Sequence, residues 1–265
     1  EVGSESTFTE GETRRMAELQ EAVAKGVAEG KNIRQILDKA QREDLLRLLS
    51  KDAFIRTGQK AFNLGNETTY VSVVERLEEA IERYRKTGDT QSQKQAEQLL
   101  GKVKETIKAN ENNGLNYDRI RQIGRDIKES KMLAAALKDI ALEQHPAYGK
   151  DIRRLKQESK DKQERIDKMR ERLPEDDGKR RKTKAVQKLE RDLKNAIDEK
   201  IRNDRKLDRL VEKVLNDTDN PLVKARMQEM GNTKKLEREI TEMTACAPDL
   251  IQQMSQNAQQ YASPK

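Results

Sequence analysis

The chain is poor in the materials from which large rounded cores and catalytic centres are built. Tryptophan is absent, and three Phe and five Tyr bring the aromatics to only 3% of 265 residues. Apolar residues make up 33%, against about 45–50% (a count that includes Gly) in an average globular domain. There is one cysteine, Cys246, so no disulfide can form within the chain. That suits a cytoplasmic or otherwise reducing compartment. One histidine, His145, beside one cysteine is too little for a Cys/His zinc site. No apolar run approaches the ~20 residues that span a bilayer, and no signal-peptide pattern opens the chain. The sequence holds no phosphate-binding loop, dinucleotide fingerprint, G-x-S-x-G elbow or H-E-x-x-H pair. Cys246 carries no local signature of a nucleophile. The expectation is a non-enzymatic protein with no catalytic residues, no metal and no cofactor. The first residue is Glu rather than Met, as expected of a processed chain or a piece of a larger protein.

Charge is what the chain has in abundance. Asp, Glu, Lys and Arg make up 39%, and 55 basic residues against 48 acidic leave +7. Disorder on such a composition usually goes with a large net charge and lost periodicity. Here the charges nearly cancel and the leucines and isoleucines keep a helical beat, so ordered helix is expected over residues 10–245. An elongated all-α protein needs less apolar volume than a rounded one, because each helix buries only a stripe.

A helical body is expected over 10–145, after a flexible tail at 1–9. Met16, Leu19, Val23 and Val27 share one helix face, Gly30 is a stop and Asn32 a cap. A second apolar face begins at Ile33, Ile36 and Leu37 and continues into Leu45, Leu46, Leu48 and Leu49, which read as core. Residues 52–64 suggest a separate short helix with Phe54, Ile55, Ala61 and Phe62. Ser72 and Glu75 fit a capping box, followed by Val74, Leu77, Ile81 and Tyr84. Gly88 and Asp89 then turn the chain into a helix lined by Ala96, Leu100, Val103 and Ile107. So short a loop predicts antiparallel packing. The stretch 110–116 is a loop and a candidate sub-boundary. Tyr117 to Gln144 reads as helix, broken at His145-Pro146.

The segment 148–215 is expected to be a long, protruding antiparallel helical hairpin, a coiled-coil-like arm closed by Pro174-Glu175-Asp176-Asp177-Gly178. Ile152, Ser159, Ile166 and Leu173 recur every seven residues, with Leu155, Lys162 and Met169 beside them. On the return limb Val186, Leu193, Lys200, Leu207 and Val214 do the same, with Leu189, Ala196, Asn203 and Leu210. Both seams turn polar at mid-length, at Ser159 and Lys162 and at Lys200 and Asn203, so these layers should face one another. Ile197 and Ile201 lie beside the seam, where a third helix is expected. From Lys150 to Lys213 there are 24 Lys and Arg against 16 Asp and Glu, a surplus of eight. The tip residues Lys179, Arg180, Arg181, Lys182 and Lys184 are the candidate binding site, for an anion such as nucleic acid or an acidic membrane.

A small helical unit is expected over 216–250, capped by Thr218, Asp219 or Asn220 before Pro221 and stopped at Gly231-Asn232, with a second helix through Leu236, Ile240 and Met243. A flexible tail follows at 252–265. Three functional readings emerge. The leading one is a scaffold or adaptor whose partner is another protein. The second is anion binding through the arm tip. The third is the regulatory region of a secreted bacterial effector acting on a host GTPase, which would place it in a host cytosol.

Overall fold

The computed structural model describes residues 7–57, 70–175, 178, 183–246 and 248, with the backbone alone at 53–57 and 70–72. Among these residues the protein is all-α. The helices are α1 (Glu10–Ala28), α2 (Ile33–Ile36), α3 (Lys39–Thr57), α4 (Tyr70–Thr87), α5 (Thr90–Ala109), α6 (Tyr117–Glu143), α7 (Gly149–Arg172), α8 (Lys184–Asn216) and α9 (Pro221–Thr244). Contacts gather the chain into two compact units of non-consecutive segments. The first joins Glu1–Ala61 with Ala135–Arg226, and the second joins Phe62–Ala134 with Met227–Lys265. Helices α6 and α9 contribute to both, and the two flanks of the 110–116 loop lie in the same unit.

In the first unit, α1 opens on a reciprocal cap: Thr9 Oγ1 accepts from Glu12 N, and Glu12 Oε1 accepts from Thr9 N. Lys51 Nζ lies 2.9 Å from Glu12, tying α3 to the same carboxylate. Lys51 and the Thr9 amide hold the Glu12 carboxyl below its usual range. Gly30, at φ 83°, ends α1 with a left-handed residue that glycine adopts without steric cost. Gly26 is required for a second reason. A Cβ there would lie 2.4 Å from Ile36 Cγ1, so the approach of α2 to α1 leaves no room for a side chain. Leu45, Leu46, Leu48 and Leu49 are all buried, as expected of a core run.

The chain departs from expectation at both ends of this run. Leu37 is extended, and Asp38 exchanges hydrogen bonds with Gln41 to start α3 anew. The face from Ile33 to Leu49 is therefore two helices. At the other end α3 passes through Asp52 to Thr57, so no new helix starts at Asp52. The remainder of the expected 52–64 helix, from residue 58, lies outside the described residues.

The second unit is organised by an apolar cluster. Val73, Val74, Leu77 and Ala80 of α4 meet Ala96, Leu100, Val103 and Ile107 of α5. Leu115, Ile120, Ile123 and Ile127 before and along α6 join them, with Ile240 of α9. Gly88 (φ 75°) and Asp89, which accepts from Ser92 N, form the α4–α5 corner as expected. Ser72 is already inside α4, so the expected capping box does not form the start of that helix. Gly231 does not end a helix either, for α9 runs unbroken through it. A mid-helix glycine costs about 1 kcal/mol. Buried side chains offset it on both sides: Glu229, Thr233, Ile240 and Thr244. The Thr233 hydroxyl sits 2.7 Å from that of Ser130 on α6, and Ser130 also donates to the Glu229 carbonyl.

Candidate interaction surface

Helices α7 and α8 both belong to the first unit and pack along one another. The heptad positions differ in burial. Ile152, Leu155 and Ile166 are buried on α7, and Ala196, Asn203 and Val214 on α8. Met169, Leu173, Leu189, Leu193, Leu207 and Leu210 are half-buried. Thr183 caps α8 by accepting from Val186 N.

The polar layers do meet, and the residue that joins them is Asp204. Ser159 Oγ donates to Asp204 Oδ1 at 2.6 Å, and Lys200 Nζ donates to Oδ2 at 2.8 Å. One residue earlier, Asn203 Nδ2 donates to the Leu155 carbonyl at 3.0 Å. Partial burial pushes the Asp204 carboxyl up, but its bonds to Lys200 and Ser159 outweigh that and hold it below the usual aspartate range. Asp204 lies off the seven-residue repeat. Its one sequence signal is the i,i+4 spacing from Lys200.

At the root of the pair sits the one histidine. His145 is buried, and its Nδ1 accepts from the Ala147 and Tyr148 amides. That leaves Nε2 as the protonated nitrogen, donating to Asp217 Oδ2 at 2.8 Å. The ring stacks on Tyr148 at 5.1 Å, and Lys213 lies over the other ring at 5.6 Å. One imidazole therefore joins the end of α6, the start of α7 and the residue after α8. Both ring nitrogens are taken up in this joint. Gly149 completes it, because a Cβ there would lie 2.4 Å from the Glu143 carbonyl oxygen.

Of the tip residues, Lys179, Arg180, Arg181 and Lys182 lie outside the described residues, and Lys184 is exposed at the start of α8. Among the described residues no third helix covers Ile201, which is 43% exposed, and Ile197 is half-buried. Asn220 is the cap before α9, accepting from the Leu222 and Val223 amides. Met227 and Met230 stay exposed on α9, while Met243 packs against the second unit's core.

The second unit carries a polar brace between α4 and α6. Tyr117 Oη donates to Glu78 Oε1 at 3.0 Å. Arg121 Nε lies 3.1 Å from the same oxygen, close enough for charge attraction although its N–H makes no hydrogen bond. Burial and the Glu78 bond push the Tyr117 phenol up to about 12. Burial also raises the Glu75 carboxyl, helped by Glu79 and Glu78 and opposed by Lys128 and Arg125. An open groove of about 590 Å³ beside this brace is lined by Glu78, Glu79, Glu82, Arg83, Lys86 and Thr87, all from α4. With walls from a single helix, it offers no convergent polar groups. Among the described residues no group of His, Cys, Asp and Glu is placed to hold a metal ion, and no helix is long and apolar enough to cross a membrane.

Compared with protein-family models, curated proteins and solved structures, the chain has no significant match.

Proposed function

We propose that the chain is a non-enzymatic helical scaffold or adaptor that presents the α7–α8 pair to another protein. The observation behind this reading is Ile201. It is a large apolar side chain left 43% exposed on a helix whose seam residues are otherwise buried or half-buried. Ile197 stands one turn before it and widens the apolar spot. Isolated exposed apolar residues are common. Two at i,i+4 beside a polar layer give a partner helix a specific place to dock.

Affinity capture from a cell lysate with mass spectrometry tests the reading. The chains compared are the intact protein, Ile201→Asp and a deletion of residues 174–184. A protein retained by the intact chain and lost with Ile201→Asp supports docking on α8, and one lost only on deletion moves the contact to the tip. Retention of no protein, or unaided turnover of a nucleotide or peptide substrate, would count against a scaffold.

A further inference from the structure

Helix α8 carries a second pattern among its exposed residues, whose last member, Lys213, also lies over the Tyr148 ring at the root of the pair. Lys184, Lys188, Arg191, Asn195, Arg202, Lys206, Arg209 and Lys213 follow one another in steps of four, three, four, seven, four, three and four. Steps averaging three and a half residues keep side chains on one helix face. All eight are exposed. Seven are cations, and none of the seven is paired with a carboxylate among the described residues. The contrast with Lys200 is direct: it faces the seam and is held by Asp204.

The stripe has internal structure. Its cations form two groups, Lys184 to Arg191 and Arg202 to Lys213. Between them lie Asn195, Asp198 and Glu199, all exposed. The group centres are twenty residues apart, which is about 30 Å along a straight α-helix. On a duplex the same phosphate strand returns to the same side after about 34–36 Å. Long Lys and Arg side chains span the few ångströms of difference. The interval between the groups falls over a groove, where the nearest phosphates recede and two carboxylates are tolerated.

Other polyanions fit less well. No aromatic residue lies on the stripe to stack on unpaired bases, as single-strand binding requires. No large apolar residue lies on it to enter a lipid interface. We propose that α8 lies along a double-helical nucleic acid, with its two cation groups on phosphates one helical turn apart. Contacts of this kind carry no base information, so binding is independent of sequence. The proposal stands apart from the scaffold reading: it uses the cationic side of α8 rather than Ile201.

Fluorescence anisotropy on the full chain tests it. The probes are DNA and RNA duplexes of about two turns, a single strand of equal length, phosphatidylserine vesicles and polyglutamate. The expected result is duplex binding whose logarithm falls with the logarithm of salt at a slope of about −6 for seven contacts. Whether DNA, RNA or both bind names the source of the duplex. Lys188→Gln with Arg191→Gln, and Lys206→Gln with Arg209→Gln, should each flatten the slope by about 1.8. A duplex of about half a turn, reaching only one group, should flatten it further. Lys94→Gln with Lys102→Gln on α5 removes the same charge elsewhere and should leave the slope unchanged. Circular dichroism confirms that each variant folds. The proposal is overturned by an absence of duplex binding at low salt, by tighter binding to single strand, vesicles or polyglutamate, or by equal weakening in the α5 variant.

Discussion

The second unit and the α7–α8 pair hold helices together by different means. The core of the second unit is an apolar cluster drawn from α4, α5, α6 and α9. Along α7 and α8 the buried stripe is narrow, and its centre is a carboxylate, a hydroxyl, an ammonium and an amide. Apolar burial is non-directional and grows with area. A hydrogen-bonded layer adds less stability, but it is satisfied in one alignment only. The first arrangement supplies stability, and the second fixes which residues of two long helices stand opposite one another.

Four substitutions break or sharpen this contrast. The largest effect is expected from Ile123→Ala, which empties a fully buried site and should cost about 3 kcal/mol in urea denaturation. Gly149→Ala comes next. It forces a methyl against the Glu143 carbonyl at the root of the pair and should cost about 2 kcal/mol, seen as a lower melting temperature. Asp204→Ala strips Ser159 and Lys200 of their shared acceptor and should cost about 1 kcal/mol, a modest loss because the site is partly open to water. The folded-state pKa of Asp204 is depressed, so its contribution is present above the ordinary aspartate value and lost as pH falls through the folded value. The difference between native and variant should therefore shrink in acid melts.

Glu75→Gln should have the smallest effect and the opposite sign. Its folded pKa is raised, so the folded state binds the proton more tightly, and ionisation costs stability as pH rises through the shifted value. The amide should gain about 0.5 kcal/mol or less at neutral pH. That gain should vanish once pH drops below the ordinary glutamate range, which melts at several pH values would resolve.

Much of this was legible from spacing. The seam residues from Ile152 to Val214, the Leu45–Leu49 core, the Gly88-Asp89 corner and the break at His145-Pro146 are local patterns, set by helix period and backbone chemistry. The failures have a common cause. Gly231 is a stop by propensity, and buried neighbours on both sides override it. Ser72 is a good cap by type, yet the helix begins before it. Asp38 starts a helix inside an apolar run that reads as continuous. The grouping of residues before 61 with those after 135 rests on contacts far apart in sequence, which periodicity does not encode. The cationic stripe was readable in principle. The surplus charge of the segment is plain in the sequence, but its four-three spacing becomes meaningful only once the structure shows which residues of α8 are exposed.

The joint at His145 also gives the molecule a reporter. The chain has a single imidazole, and its Nε2 proton is held against a carboxylate by a buried ring. An unlabelled one-dimensional proton spectrum should therefore hold one low-field imidazole N–H signal. The line would be visible while α6, α7 and α8 remain joined, and would exchange away when they part. Opening of the pair at its root could then be followed without attaching a probe.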